Sequence, residues 1–144
     1  WCHAKWGKWV RMAWPRFEPI EPGSQDLRRW LERLLGWARR RTHVYVYCPM
    51  PAGVTRDELF RSVGLTPHAD VRWYPIPQRL SRWAALGMIL SRQKKPFDII
   101  VAPDAHWAGV ARPFARWHRA RVVPVDHEEA LTSQWEQCRF PSSS

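Results

Sequence analysis

The sequence is poor in cysteine, in glycine motifs and in long apolar runs, and each shortage excludes a class of protein. Its 144 residues include three cysteines, Cys2, Cys48 and Cys138, at wide spacing. This odd number argues against a disulfide framework and favours a reducing compartment. No apolar run approaches the ~18–20 residues of a membrane span, so we expect no membrane partner. No glycine-rich phosphate-binding motif is present, which argues against phosphate-cradling loops.

Candidate metal ligands are scarce as well. The sequence has no Cys-x-x-Cys pair, and we predict neither a cofactor nor a metal. A zinc site formed by Cys2, His3 and a distant cysteine is the alternative left open. The sequence begins at Trp1 rather than at Met, from which we expect a processed or truncated N-terminus.

Acidic residues are also few, and the resulting charge favours polyanionic partners. The chain has 23 Lys and Arg against 13 Asp and Glu, a formal net charge of +10. An excess of this size is typical of proteins that bind nucleic acid. Many of the 11 tryptophans follow a basic residue, as in Arg72-Trp73, Arg82-Trp83 and Arg116-Trp117. Such pairs can stack on unpaired bases, although tryptophans in a core with basic neighbours in solvent give the same pattern.

Residues 96–126 carry the clearest structural pattern. Asp98–Ala102 is a short apolar strand, Asp104 can cap the following helix over 106–118, and Arg121–Val125 returns as a second strand. This βαβ unit predicts a parallel sheet. Pro113 lies inside the predicted helix, which we therefore expect to kink or to restart there.

The rest of the chain extends the same alternation. Further strands are predicted at Thr42–Tyr47 and Val71–Tyr74, and further helices after Ser24, between Thr55 and Gly64, at Gln78–Gln93 and at Glu128–Gln137. The prediction is an α/β domain with a Rossmann-like or flavodoxin-like parallel sheet of about four strands flanked by helices. We place this single domain at 24–138. Residues 1–23, basic and interrupted by prolines, are predicted to form an extended arm, and 139–144 a disordered tail.

The order of these elements and several short motifs resemble the family of the second protein of the small ribosomal subunit, in its bacterial and organellar form. The matching positions in the 96–126 unit are Asp98, Asp104, Ala105, Ala111, Ala115 and Asp126. The matching motifs elsewhere are Arg72-Trp73, Leu80-Ser81-Arg82-Trp83, Val44–Val46 with Cys48-Pro49-Met50, and Cys2-His3 near Trp6 or Trp9. The resemblance covers most of the chain by order of elements, at low residue identity.

The chain departs from this family at several of its motifs. The family's glycine pair is replaced by Tyr74-Pro75-Ile76-Pro77, its turn lysine by Met50 and a late helical acid by Phe114. The long helical hairpin before the Pro-Asp strand is missing, and only residues 91–95 stand in its place. Such trimming indicates a divergent mitochondrial form.

The resemblance implies a structural constituent of the small subunit of the mitochondrial ribosome. Its partners would be small-subunit rRNA and neighbouring ribosomal proteins, and it would be located in the mitochondrial matrix. It would be neither an enzyme nor a homo-oligomer. From charge and position, the predicted RNA contacts are Lys5, Lys8, Arg11 and Arg16 on the arm, Arg79, Arg82 and Trp83 at a helix start, and Lys94 and Lys95 where the hairpin is lost.

Two alternatives stay open: a nucleoside deoxyribosyltransferase-like enzyme and a free-standing RNA-binding factor. The segment Val44–Met50 resembles the Gly-Pro-Met strand end of the deoxyribosyltransferases. Strand ends in this chain also offer acids, histidines and a thiol for acid–base chemistry, namely Cys48, Asp104, His106, Asp126 and His127. The stretch 109–116, where that family carries a catalytic glutamate, contains no acid. We therefore predict no catalytic residues.

Overall fold

The computed structural model describes residues 8–78, 80–91 and 95–140, where strands and helices alternate. The elements are β1 (Val10–Pro15), α1 (Gln25–Ala38), β2 (Thr42–Cys48), α2 (Arg56–Ser62), β3 (Val71–Pro75), α3 (Arg82–Ser91), β4 (Ile99–Ala102), α4 (Ala105–Trp117), β5 (Arg121–Pro124) and α5 (Glu128–Arg139). The five strands form one parallel sheet in the order β3-β2-β1-β4-β5. The prediction of a parallel α/β sheet flanked by helices is confirmed, with five strands instead of about four.

This strand order separates the two sheet types that the sequence left open. Rossmann-type sheets begin with the order 3-2-1-4-5, whereas flavodoxin-type sheets have the order 2-1-3-4-5. The observed order is the Rossmann type. It also means that β1, the first strand of the described residues, lies at the centre of the sheet.

The central strand β1 corrects the predicted N-terminal arm. Residues 10–15, assigned to an extended arm over 1–23, pair with β2 along the whole strand and with β4 on the other side. Met12 and Ala13 are fully buried, as a parallel strand covered on both faces requires. Flanking cations and prolines conceal this short apolar run in the sequence. The domain therefore includes residues N-terminal to its predicted start, while 1–7 lie outside the described residues.

Alternate side chains of the sheet enter two separate cores. Met12 and Trp14 of β1 pack with α1, α2 and α5 on one face. Ala13 of the same strand, with Tyr45 and Tyr47 of β2, packs with α3 and α4 on the other. Both faces are thus covered by helices, which explains why the strands are apolar at nearly every position.

Three of the predicted helix starts are confirmed, and a fourth is corrected. Ser24, Thr55 and Asp104 accept hydrogen bonds from backbone N–H groups three residues later, at 3.1, 3.2 and 2.7 Å. These side chains satisfy N–H groups that have no partner within the helix. The helix predicted to begin at Gln78 begins at Arg82, since α3 covers Arg82–Ser91. Its predicted end at Gln93 lies outside the described residues.

Two further predictions about helices can be compared with the structure. Of the two outcomes expected at Pro113, the restart is wrong, since α4 continues through this residue as one helix. α5 extends to Arg139, so the first residue of the predicted tail is helical, and 141–144 lie outside the described residues. No helix in the described ranges has both the length and the apolar character needed to cross a bilayer.

Candidate functional site

The strand order creates a crevice at the carboxyl ends of β1 and β4. After β1 the chain crosses to α1 on one face of the sheet, and after β4 it crosses to α4 on the other face. In parallel α/β sheets, ligands bind at this topological switch point. Here it holds a cleft of about 530 Å³ lined by Trp14, Pro15, Arg16, Phe17, Glu18, Asp26, Arg29, Trp30, Arg33, Pro103, Asp104, Val125 and Asp126.

Aromatic rings covered by guanidinium groups form one part of the cleft wall. Trp14 comes from the end of β1 and Trp30 from α1, and both are almost completely buried. The guanidinium carbon of Arg16 lies 4.7 Å from the ring centroid of Trp30, and that of Arg33 lies 5.2 Å from that of Trp14. These cation–π pairs hold the two arginines against the aromatic wall.

Hydrogen bonds and ion pairs further restrict the two arginines. Arg16 Nη2 donates to Asp26 Oδ2 at 2.8 Å, and its side chain is only 14% exposed. Arg33 Nη2 donates to the carbonyl oxygen of Val125 at 3.1 Å and pairs with Glu128. Within the described ranges, the Nε atoms of both arginines are buried without a hydrogen-bond partner.

The charges around the cleft nearly balance. Its lining contains three arginines and four carboxylates. Glu18, Asp26, Arg29 and Asp126 are exposed. Arg29 comes from α1 and Asp126 from the turn after β5. Such a site offers hydrogen-bond donors and acceptors in similar number, and its carboxylates would repel a polyanion.

The catalytic candidates from the sequence do not converge on the cleft. Asp104 and Asp126 line it, whereas His127 lines a separate groove beside β5 and Cys48 and His106 are not part of its lining. Cys48 is completely buried, and burial raises the pKa of its thiol to about 12, against a smaller opposing effect of Arg16. Such a thiol is not a nucleophile at neutral pH. No group of three or more metal-ligating side chains occurs in the described part of the chain, and Cys2 and His3 lie outside it.

The three described arm cations are held by intramolecular contacts. Lys8 Nζ lies 2.8 Å from Asp98 Oδ1. Arg11 Nη1 donates to the hydroxyl of Tyr45 at 2.8 Å, and its guanidinium carbon lies 4.8 Å from the centroid of that ring. Arg16 is held in the cleft. Lys8 and Arg11 therefore lie near the amino end of β1 and Arg16 just beyond its carboxyl end, so they do not form one basic strip.

The remaining predicted RNA contacts are only partly described. Lys95 is exposed, and Trp83 is 59% exposed. The Trp83 ring lies edge-on to the ring of Phe114, with the two ring centroids 5.5 Å apart. Arg82 begins α3, and nothing is described of its side chain. Lys5, Arg79 and Lys94 lie outside the described residues.

Most of the cleft was not predicted from the sequence, because β1 was not predicted. Trp14, Phe17 and Glu18 fall within the predicted arm over 1–23, and no cleft was predicted for Arg29 and Arg33 of the first helix. The available signal was the short apolar run at 12–14, which is typical of a buried strand. In comparisons with known proteins, no family model, no curated protein and no solved structure matches this chain.

Proposed function

We propose that this domain binds a small hydroxylated molecule, such as a sugar or a nucleoside, in the cleft at the switch point. The observation that carries the proposal is the composition of the cleft wall. It combines aromatic rings with three arginines and four carboxylates at the carboxyl ends of the central strands. Clefts of this size and position commonly hold small molecules.

The balance of charges favours a neutral, hydroxyl-bearing ligand over a polyphosphate. Each hydroxyl group both donates and accepts a hydrogen bond, carboxylates only accept and guanidinium groups only donate. A ring carrying several hydroxyl groups can therefore use both kinds of side chain, for example Arg29 and Asp126. Its apolar ring face would pack on Phe17, the partly exposed aromatic ring of the lining.

The proposed activity is binding without catalysis by the cleft's own side chains. The cleft lining contains neither a histidine nor a cysteine. Asp104 is engaged as the N-cap of α4, where its Oδ1 accepts from Trp107 N at 2.7 Å, and Asp26 is paired with Arg16. These contacts favour positioning roles for both carboxylates.

A binding experiment on two exposed cleft residues tests the proposal. Adenosine, uridine, ribose and glucose serve as probes, saturation-transfer NMR detects binding and calorimetry gives the affinity. Arg29→Gln and Asp126→Asn remove exposed cleft groups without disturbing the core. Arg39→Gln, at the exposed C-terminal end of the same helix α1 and away from the cleft, is the matched control.

We expect each cleft variant to weaken binding of the best probe about tenfold, the loss typical of one hydrogen bond to a charged group. The control should bind as tightly as the unmodified protein. A stronger response to adenosine and uridine than to the free sugars would identify the ligand as a nucleoside. The proposal is wrong if no probe binds, or if the control loses as much affinity as the cleft variants.

A second candidate is the structural role in the small subunit of the mitochondrial ribosome, with rRNA and neighbouring proteins as partners. The observation that favours it is the basic surface away from the cleft. Lys95 and the three arginines at 39–41 are exposed, as is Trp83. Exposed cations of this kind can neutralise phosphates in packed rRNA.

Sedimentation of a mitochondrial lysate in EDTA tests this second candidate. EDTA separates the ribosomal subunits, and mass spectrometry follows the chain through the sucrose gradient. Co-migration with small-subunit rRNA is the expected result for a ribosomal protein. Recovery only at the top of the gradient would exclude the ribosomal role and leave the cleft proposal standing.

A further inference from the structure

The outer surface of α3 and α4 carries a cluster of exposed aromatic side chains. Trp83, Phe114 and Trp117 are 59%, 46% and 88% exposed; we call these three residues the aromatic patch. Trp83 and Phe114 touch across the two helices, with ring centroids 5.5 Å apart. Trp117 lies three residues after Phe114 on α4, so the two share one side of that helix. Clustered exposed aromatics of this kind mark interaction surfaces.

The layer that carries the patch has no acidic side chain in its helices. Neither the 10 residues of α3 nor the 13 residues of α4 include an Asp or a Glu. Arg112 and Arg116 are exposed on α4 and line a groove on its β5 side. The helices on the opposite face of the sheet do carry acids, at Asp26, Glu32, Asp57, Glu58, Glu128, Glu129 and Glu136. The positive charge of the chain is therefore least opposed on the α3–α4 side.

The scarcity of hydrogen-bonding side chains beside the aromatic patch favours one candidate partner over another. Beside Trp83, the outward residues of α3 include Ala84 and Gly87, which offer no side-chain hydrogen-bonding group. Sequence-specific recognition of unpaired RNA bases uses hydrogen bonds to their edges as well as stacking. Insertion into the interface of a bilayer needs only aromatic and apolar groups, with cations nearby for the headgroups. Tryptophan is one of the two side chains enriched at that interface.

We propose that the α3–α4 layer docks on the surface of an anionic lipid bilayer. The aromatic patch enters the headgroup region, and Arg112 and Arg116 lie against the lipid phosphates. This proposal is independent of the ligand in the cleft. It departs from the expectation of no membrane partner, which rested only on the absence of an apolar run long enough to span a bilayer.

Co-sedimentation with lipid vesicles tests the proposal. The vesicles consist of phosphatidylcholine with or without phosphatidylglycerol as a minor component. One variant pair removes the patch, Phe114→Ser with Trp117→Ser, and a second removes charge, Arg112→Gln with Arg116→Gln. The matched charge control is Arg39→Gln with Arg61→Gln, two exposed arginines on helices of the opposite face. Circular dichroism checks that every variant is folded.

We expect the protein to bind the anionic vesicles only. The Phe114–Trp117 variant and the Arg112–Arg116 variant should each bind them about tenfold or more weakly. The charge control should bind nearly as well as the unmodified protein. The conservative variant Trp117→Phe should retain binding, and brominated lipids should quench less of its tryptophan emission than that of the unmodified protein. This change in quenching reports contact of the indole ring with lipid, which a general effect on stability would not produce.

Three results would overturn the proposal. The first is no binding to anionic vesicles. The second is an equal loss of binding in the charge control, which would indicate that the net positive charge of the whole protein attracts it to the vesicles.

The third result is a different occupant of the aromatic patch. Loss of single-stranded poly(U) binding in the Phe114–Trp117 variant, without loss of vesicle binding, would assign the patch to RNA. A change from dimer to monomer in that variant, measured by light scattering, would assign it to a second copy of the chain.

Discussion

Replacing Met12 by alanine tests the assignment of residues 10–15 to the centre of the sheet. Met12 is fully buried in β1 between the partner strands β2 and β4, and its side chain belongs to the core under α1. Truncation of a buried methionine costs about 2–5 kcal/mol, because it removes apolar contacts and leaves a cavity. A residue of an extended arm would lose almost nothing.

The size of the effect can be translated into measurable shifts. For a loss of about 3 kcal/mol and a urea m-value of ~2 kcal/mol/M, the unfolding midpoint should fall by about 1.5 M. The thermal midpoint should fall by roughly 6–12 °C for a domain of this size. Urea unfolding followed by tryptophan emission and by circular dichroism gives both the free energy and a check of two-state behaviour.

Met50→Ala is the matched control for this experiment. Met50 lies in the loop after β2 and is only partly buried against the same core. The same chemical change there should cost well under half as much, since less apolar surface is lost. Equal and small effects at Met12 and Met50 would refute the placement of β1 in the core.

Two further predictions concern single residues. Burial raises the pKa of the Cys48 thiol from 9.0 to about 12, so its stabilising contribution is complete below pH 9.0 and is lost as the pH rises towards 12. Between these pH values the free energy of unfolding should fall with pH more steeply than in Cys48→Ala, by ~1.4 kcal/mol per pH unit. If urea unfolding gives the same pH dependence for both proteins, this prediction is wrong. Pro113→Ala should stabilise the domain by about 2 kcal/mol. An interior proline costs a helix ~3 kcal/mol, and part of this gain is offset because the unfolded chain has more conformational entropy with alanine than with proline. An unchanged or lower thermal midpoint would contradict this prediction.

The elements that were predicted correctly are those whose signals lie within a few consecutive residues. Asp104 caps α4 because its side chain reaches an N–H group three residues away, a contact that local sequence alone specifies. The buried strand β4 is likewise visible as a continuous apolar run. β1 was missed because its apolar run is short and Arg11 interrupts it. The Arg11 side chain packs against Tyr45 and Phe97, which come from distant parts of the sequence.

The candidate site could be predicted only in part for the same reason. Asp104 and Asp126 were recognised because each follows a predicted strand. Trp14, Arg16 and Arg33 could not be placed with them, since the cleft exists only where β1 and β4 are neighbours. Cys48 also follows a strand, yet packing on both sides buries it completely, which no local pattern reveals.

The sequence by itself determined the α/β class, the parallel sheet, the helix caps and the excess of positive charge. These properties depend on periodicity, on local hydrogen bonds and on composition, all of which are encoded over short stretches. Only the tertiary structure decided the order of the strands, the contacts that engage Lys8, Arg11 and Arg16, and the exposure of Trp117. Each of these depends on which distant segments pack together, and the insertion of β1 between β2 and β4 is the step that brings the cleft into existence.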